Sequence, residues 1–480
     1  MPIMIFLWEL DAMASTIIDV PIVGQSYHLK DWSVDCQRTL NLFPQVVESG
    51  NAPQVAALLP TAGLVKKFEF DSYIRGMYAM SDRFFVVAGQ KLLSIKSDNT
   101  VKELGEVSGI GRVYFADNSV QLMIVSNNSY SLDLKSNTLK KLELGEFFGA
   151  SDVTALDSRF IWTVPQSGRF QWSNLLSTDT SALNYATAEA KSDNLVRCIE
   201  NNDQLWLIGE KTTEIWSSTG SSDAPFQRMG GAVIPTGCVA PASVCRFGGS
   251  LAWVSRTEHG QGVIVITEGF TTSRISNHAI EADISSYKSI EDAYSISYQE
   301  NGHAFLLITF PSAKKTWCYD GTTKMWHERS YFNPKTYLHE QHRAFVHCFF
   351  NGKQLVGDRQ NGKIYELTLN SRTDDGDTIV RERITPVINP QTQRLIFHEL
   401  EIVAQMGQDV DAKPMLMLDW SNDKGRTWSY TRQEDLGGIG EYEKRLIFRR
   451  LGQSFSRVFR FRMTDASKLV ITGAKVRVSQ

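Results

Sequence analysis

Gln204-Leu205-Trp206-Leu207-Ile208, a short polar turn, and then Thr213-Glu214-Ile215-Trp216 form the stretch whose reading decides the fold. The first run is continuously apolar, as a strand covered on both faces must be, while the second alternates like a half-covered one. A loop rich in Asp, Asn, Gly or Ser precedes such pairs, and the unit recurs in both directions. Its apolar runs are Arg83-Phe84-Phe85-Val86-Val87, Val120-Gln121-Leu122-Met123-Ile124-Val125, Arg159-Phe160-Ile161-Trp162, the stretch at 204–208, Ser250-Leu251-Ala252-Trp253-Val254, His303-Ala304-Phe305-Leu306-Leu307-Ile308 and Lys353-Gln354-Leu355-Val356. They are spaced by roughly 40 to 50 residues, the period of a four-stranded propeller blade. Lys315-Thr316-Trp317-Cys318-Tyr319-Asp320 and Lys363-Ile364-Tyr365-Glu366-Leu367 repeat the second pattern, and Asn351-Gly352, Asp320-Gly321 and Asn361-Gly362 supply hairpin signals. Helical periodicity is nearly absent; Ile280 to Tyr287 predicts one or two turns.

A lone blade cannot cover both its faces, so the repeat predicts an all-β fold in which blades close into a ring. The runs give about seven blades, with six or eight also compatible with their divergence, and two successive β-sandwiches would produce similar strand spacing. The expected organisation is an N-terminal arm with short strands over 1–71, a β-propeller over 72–370 and a C-terminal β-sandwich over 371–480. The acidic turn Ser371-Arg372-Thr373-Asp374-Asp375-Gly376-Asp377 marks the second boundary. Beyond it longer strands are expected at 379–388, 394–403, 415–420, 428–432, 445–450, 457–463 and 469–478. In Val458 to Met463, Phe459, Phe461 and Met463 share one face and Val458, Arg460 and Arg462 the other.

The chain has 480 residues, enough for more than one core, and 42% of them are apolar. A net charge of -3 gives no global pull toward nucleic acid or an anionic membrane, so any nucleic-acid contact must be local. Six cysteines, Cys36, Cys198, Cys238, Cys245, Cys318 and Cys348, lack any C-x-x-C pair and read as reduced, buried thiols. The opening Ile3-Met4-Ile5-Phe6-Leu7-Trp8 has no basic n-region and runs into Glu9 and Asp11, so it does not read as a signal peptide; Met13-Ala14-Ser15 looks like an ordinary start. Nothing downstream has the ~20 apolar residues of a membrane helix.

The sharpest motif is Ser421-Asn422-Asp423-Lys424-Gly425-Arg426-Thr427-Trp428, an Asp-box of the form S-x-D-x-G-x-T-W. Asp423 is expected to accept bonds from turn amides, Gly425 to supply unusual backbone angles, and Ser421, Thr427 and Trp428 to complete a stapled hairpin. Asp-boxes occur in sialidases, which raises glycoside hydrolysis or glycan binding as an alternative function. The motif occurs once and outside the blades, however, and no carboxylate pair of the required kind is identifiable. His339, His342 and His347 do not have H-E-x-x-H spacing, and Asp374, Asp375 and Asp377 lack the ligand pattern of an EF-hand, so no metal site is predicted. Gly105, Gly109 and Gly111 lie outside any strand-turn-helix context, and neither a P-loop nor a G-x-S-x-G sequence occurs. No catalytic residue and no cofactor is expected. One concentration of charge remains: Lys444, Arg445, Arg449, Arg450, Arg457, Arg460 and Arg462. Contact with DNA phosphates and contact with a neighbouring subunit both suit it; the arginines' alternation with core residues favours the subunit interface.

Gln37-Arg38-Thr39-Leu40-Asn41-Leu42-Phe43-Pro44 and Leu59-Pro60-Thr61-Ala62-Gly63-Leu64 resemble the R-x-x-N-L-[YF]-P and P-T-x-G-L opening of phage tail proteins. Ser158-Arg159-Phe160-Ile161-Trp162 with Phe170-Gln171-Trp172-Ser173, Leu207-Ile208-Gly209 with Glu214-Ile215-Trp216, Asp375-Gly376 with Ile379-Val380-Arg381-Glu382-Arg383 and Thr385-Pro386, and Arg449-Arg450-Leu451-Gly452 with Arg457-Val458-Phe459-Arg460-Phe461 extend the likeness over nearly the whole chain. The sequence thus resembles the tail hub, or packaged DNA stabilization protein, of short-tailed bacteriophages. The resemblance implies a non-enzymatic homo-oligomeric ring, a hexamer, in the virion tail, assembled in the host cytoplasm. It implies docking onto portal and tail adaptor proteins after genome packaging, closure of the DNA channel, and attachment of tail needle and tailspikes. Contact with packaged DNA is a further option, and no membrane partner is implied.

Overall fold

The computed structural model describes residues 15–28, 35–47, 55–388, 393–408 and 413–480. The apolar opening at 3–8 and Met13 fall outside them. The chain forms two compact units, Ala62–Thr378 and Met1–Thr61 with Ile379–Gln480.

Within Ala62–Thr378 the strands form seven four-stranded antiparallel blades, five of them separate sheets and two continued by further strands. Blade 1 spans Ile74–Ala79 to Val101–Glu106, blade 2 Tyr114–Asp117 to Leu139–Lys141, blade 3 Thr154–Leu156 to Tyr185–Thr187, and blade 4 Leu195–Asn201 to Phe226–Ile234. Blade 5 runs from Cys245–Phe247 to Thr271–Arg274 and blade 6 from Tyr294–Glu300 to Met325–Asn333. Each apolar run identified in the sequence is the second strand of its blade, where the neighbouring sheets cover both faces. Phe85, Val87, Leu122 and Ile124 meet between blades 1 and 2. Trp206, Ile208, Leu251 and Trp253 meet between blades 4 and 5, and Val254, Ile264, Leu306 and Ile308 between blades 5 and 6. Trp162 and Trp253 are wholly enclosed. Burying such rings contributes on the order of 1.5–3 kcal/mol per large side chain, enough to hold neighbouring sheets face to face.

The seventh blade closes the ring. Ala344–Phe350, Lys353–Asp358 and Lys363–Thr368 supply three strands, and the fourth is Gly63–Glu69 from the other end of the unit, paired antiparallel with Lys363–Thr368. Ile74, Phe84 and Val86 of blade 1 share one cluster with Phe345, Val346 and Leu355 of blade 7. A propeller beginning at residue 72 omits this closing strand. Its apolar content is modest and its partner lies some 300 residues away, so no local pattern reveals it. Thr373–Asp374 and Asp377–Thr378 form a tight hairpin with Asp375 and Gly376 at positive φ, and this acidic turn pairs back onto Leu64.

Of the three hairpin signals, Asn351-Gly352 is a two-residue turn with both φ angles positive, 49° and 73°. Asp320-Gly321 belongs to a longer connection in which the Asp320 carboxylate accepts bonds from the Thr322 amide and the Thr323 hydroxyl. Asn361-Gly362 serves close approach: a Cβ on Gly362 would lie 1.8 Å from the Phe70 carbonyl oxygen. The helix is His278–Ile284, capped by the Asn277 side chain.

The second unit is a sandwich. One sheet runs Leu42–Val46, Ala56–Pro60, Ile471–Ser479, Leu395–Ala404, Leu446–Arg449, with Thr16–Asp19 also paired to Ile471–Ser479. The other includes Cys36–Leu40, Arg381–Ile384, Val458–Met463, Met415–Ser421 and Arg432–Asp435. Between them Leu42, Leu58, Leu400, Leu416, Phe459, Phe461, Met463 and Val476 pack in one core. The expected strand at 428–432 begins at Arg432 instead, because the Asp-box turn occupies Trp428. Five strands from before residue 61, Tyr27–His28 beside Cys36–Leu40 included, complete these sheets, so the N-terminal segment is an integral part of the sandwich.

Candidate functional site

The Asp-box turn follows Met415–Ser421. The Ser421 hydroxyl donates to Asp423 Oδ1 at 2.6 Å and accepts from the Gly425 amide at 2.8 Å; the Thr427 amide and hydroxyl donate to the two Asp423 oxygens at 2.8 and 2.6 Å. Gly425 has φ 93°. Partial burial works to raise the Asp423 pKa, but the hydrogen bonds from Ser421, Thr427 and the turn amides outweigh it and hold the group at about 2. Trp428 is half-buried and carries the Arg460 guanidinium 4.1 Å from its ring centre. Every polar atom that defines the motif is thus engaged within the turn, which makes it a staple.

The arginines separate into three environments. Arg457 is buried, so it is not a surface residue: it donates to Asn422 Oδ1 at 2.9 Å and the Leu451 carbonyl at 2.8 Å and lies 4.2 Å from the Phe397 ring centre. Burial pulls its pKa down to about 10. Arg460 and Arg462 converge on the buried Asp419 at 2.8 and 2.7 Å. Arg445 forms a two-pronged bond to Glu401 at 2.7 and 2.8 Å, while Arg449 and Arg477 flank Glu399 at 3.7 and 3.0 Å. Arg450 is exposed, and its carbonyl accepts a bond from Arg432 at 3.0 Å.

Strand register explains the exposed set. Glu399 lies opposite both Arg449 and Arg477, and Glu401 opposite Lys475, so one sheet carries rows of alternating charge on its outer face. Alternation in the sequence reveals the arginines. Their acids lie on other strands, and Glu399 and Glu401 become legible as partners only once the register is fixed.

The other motifs are dispersed. His339 meets the Ser330 hydroxyl at 2.9 Å, His347 meets Gln354 at 2.7 Å, and His342 is buried, its Nδ1 3.3 Å from the Ala344 amide. Asp375 pairs with Lys363 at 2.8 Å, and Asp377 with Tyr331 at 2.7 Å and Arg343 at 3.3 Å. Among the described residues no group of three or more His, Cys, Asp or Glu side chains is arranged to hold a metal ion. All six cysteines are free thiols, five of them buried, and burial raises the Cys238, Cys318 and Cys348 pKa values to about 12.

Charge is unevenly divided. Residues 379–480 carry 17 Lys and Arg against 12 Asp and Glu, a net +5, whereas 62–378 carry 31 against 35, a net -4. A closed ring of sheets followed by a sandwich whose outer face carries charge rows defines a two-module all-β protein. Comparison with known families matches residues 19–372 to the β-propeller of bacteriophage P22 Gp10 and residues 380–479 to its β-sandwich. The chain belongs to the bacteriophage P22 Gp10 family of packaged-DNA stabilization and tail proteins, as the resemblance implied, and by family it is a phage virion component. A family of structural stabilisation proteins implies a non-enzymatic role.

No curated protein sequence matches the chain. Solved structures that the chain is similar to include the N-terminal domain of Nup159 (9% identity, 69% of this chain and 98% of that one, TM-score 0.40). PorZ of Porphyromonas gingivalis (12%, 66% and 38%, 0.38) and a chain of the mitotic checkpoint complex (11%, 77% and 99%, 0.38) are also similar.

Proposed function

We propose that the chain is a tail hub subunit that docks, as a ring of six identical copies, onto the portal and tail adaptor after genome packaging. The ring closes the DNA channel and offers attachment surfaces to tail needle and tailspikes. The observation that carries this reading is the consecutive match of both Gp10 modules over 19–372 and 380–479. Physical features agree with it. Blades that cover one another leave their outer strands free for partners, and sheet faces lined with paired arginine and glutamate suit contact with a neighbouring copy. Arg445, Arg449 and Arg450 are the residues assigned to that contact, with Arg460 and Arg462 on the other sheet of the sandwich as further candidates.

Electron micrographs of the purified chain with and without portal–adaptor rings test the proposal: six-fold densities capping the ring are expected, and failure to associate with the template overturns it. Salt titration separates the two uses of the arginines, since DNA binding weakens steeply with salt in proportion to the phosphates contacted.

A further inference from the structure

The first strands of successive blades pack against one another around the propeller axis. Side chains that touch non-adjacent blades therefore do so across its centre. Arg197 of blade 4 lies 4.0 Å from the ring centre of Tyr114 in blade 2. Arg112, just before the first strand of blade 2, lies 5.3 Å from the Phe345 ring centre in blade 7, and Arg359 approaches the same ring at 5.7 Å. Tyr294 of blade 6 meets Phe345 edge-on at 4.8 Å. All these residues sit where first strands begin or, for Arg359, where the second strand of blade 7 ends beside that start, so they gather at one end of the axis.

The charge at this end does not balance. Asp152 pairs with Arg197 at 3.1 Å and is otherwise occupied by the Cys198 amide and the Thr163 hydroxyl. Asp358 is held by Arg343 at 3.7 Å, the Gln360 amide and Asn361. Among the described residues Arg112 and Arg359 pair with no carboxylate; the hydrogen bond Arg112 makes is a long one, 3.5 Å, to the Phe345 carbonyl. Burial lowers the Arg112 pKa, and the nearby Arg197 charge adds to that against an opposing contribution from Tyr114. Arg359 is exposed, so solvent reaches the cluster.

We propose that this end of the propeller axis binds a phosphate-type dianion, held by Arg112, Arg197 and Arg359 above the rings of Tyr114 and Phe345. With Arg197 paired to Asp152 and Asp358 to Arg343, the guanidinium groups of Arg112 and Arg359 are the two positive charges left over, which a dianion neutralises and a single carboxylate does not. Guanidinium forks held against aromatic faces also present their N–H edges for multidentate bonds to oxygen.

The test is calorimetric titration of the full chain with inorganic phosphate, acetate and chloride at matched ionic strength, with a nucleoside monophosphate arm to tell free from esterified phosphate. Phosphate or its monoester is expected to bind and to raise the melting temperature, with acetate and chloride inert. Arg112→Gln and Arg359→Gln each weaken binding at least tenfold, while Arg445→Gln on the sandwich leaves it unchanged. Should Arg112→Gln fail to fold, the exposed Arg359→Gln decides. No phosphate binding, equal binding of acetate, or binding that both substitutions leave intact overturns the site.

Discussion

The propeller divides its apolar interior among several clusters, each shared by adjacent blades, whereas the sandwich gathers one core from segments near both ends of the chain. Val20, Leu42 and Leu58 pack in the same cluster as Leu400, Phe461 and Val476. Blade 4, by contrast, is continuous in sequence from Leu195 to Ile234. The difference teaches that a repeat makes most of its contacts locally and a closing module makes them at long range. The two modules should therefore fail in different ways.

The largest expected effect comes from deleting residues 1–61. The sandwich loses five strands and unfolds, while hydrogen exchange in blades 2 to 5 stays slow. Extending the deletion to residue 71 also removes Gly63–Glu69 and should expose Lys363–Thr368 to exchange. If blade 7 keeps its protection without that strand, the contrast fails.

Next come single core truncations. Phe461→Ala should destabilise by about 3–5 kcal/mol and loosen the whole sandwich, whereas Leu122→Ala should cost about 2–5 kcal/mol with increased exchange confined to blades 1 and 2. Urea unfolding with exchange mapped by mass spectrometry reads both.

Acid should then distinguish the modules. Burial, reinforced by the charges of Arg329 and Arg343, holds the His342 pKa at about 3. The unfolded chain titrates this group near 6.5, so it binds more protons than the folded state between those values. Stability from the neutral imidazole is full above about pH 6.5 and is lost as pH falls toward 3, at up to about 1.4 kcal/mol per unit. Propeller unfolding midpoints measured from pH 7 to 4 should follow that slope, and His342→Asn should flatten it. In the sandwich the Asp423 carboxylate, held at about 2, contributes above its unfolded value near 3.9 and loses that contribution only as pH falls through 2. After allowance for solvent screening, Asp423→Ala should cost about 1 kcal/mol at neutral pH by thermal melting.

The smallest effect on stability belongs to Arg445→Gln, within about 0.5 kcal/mol because the Glu401 pair is exposed. Its consequence should emerge in ring assembly on the portal–adaptor template, read by micrographs.

The sequence made the second strand of each blade legible, because coverage on both faces imposes continuous apolar runs, and with it the third strands of blades 4, 6 and 7. It did not reveal first strands such as Tyr114–Asp117 and Thr154–Leu156, which are short and mix polar with apolar residues around the axis. Of the Asp-box, Asp423 as acceptor of turn amides and the backbone of Gly425 were legible, since those features stay within a few residues, whereas the hydroxyl bonds of Ser421 and Thr427 were not. The arginine strands were half legible: alternation placed Arg460 and Arg462 on one face, but nothing local indicated that Asp419 lies beneath them or that Arg457 turns inward beside Phe397. Carboxylates on other strands decide which cations stay free, and strand order is information that periodicity does not hold.

Both modules are shut by pairings between early and late segments: Gly63–Glu69 with Lys363–Thr368, and Thr16–Asp19 with Ile471–Ser479. At a translation rate of ~5–20 residues per second, the propeller's opening strand waits roughly 15–60 s on the ribosome for its mate, and the sandwich's waits longer. A product terminated before Lys363 therefore lacks both finished modules and presents bare sheet edges to proteases, and one terminated before Ile471 still lacks a finished sandwich, so a check on length is built into the topology.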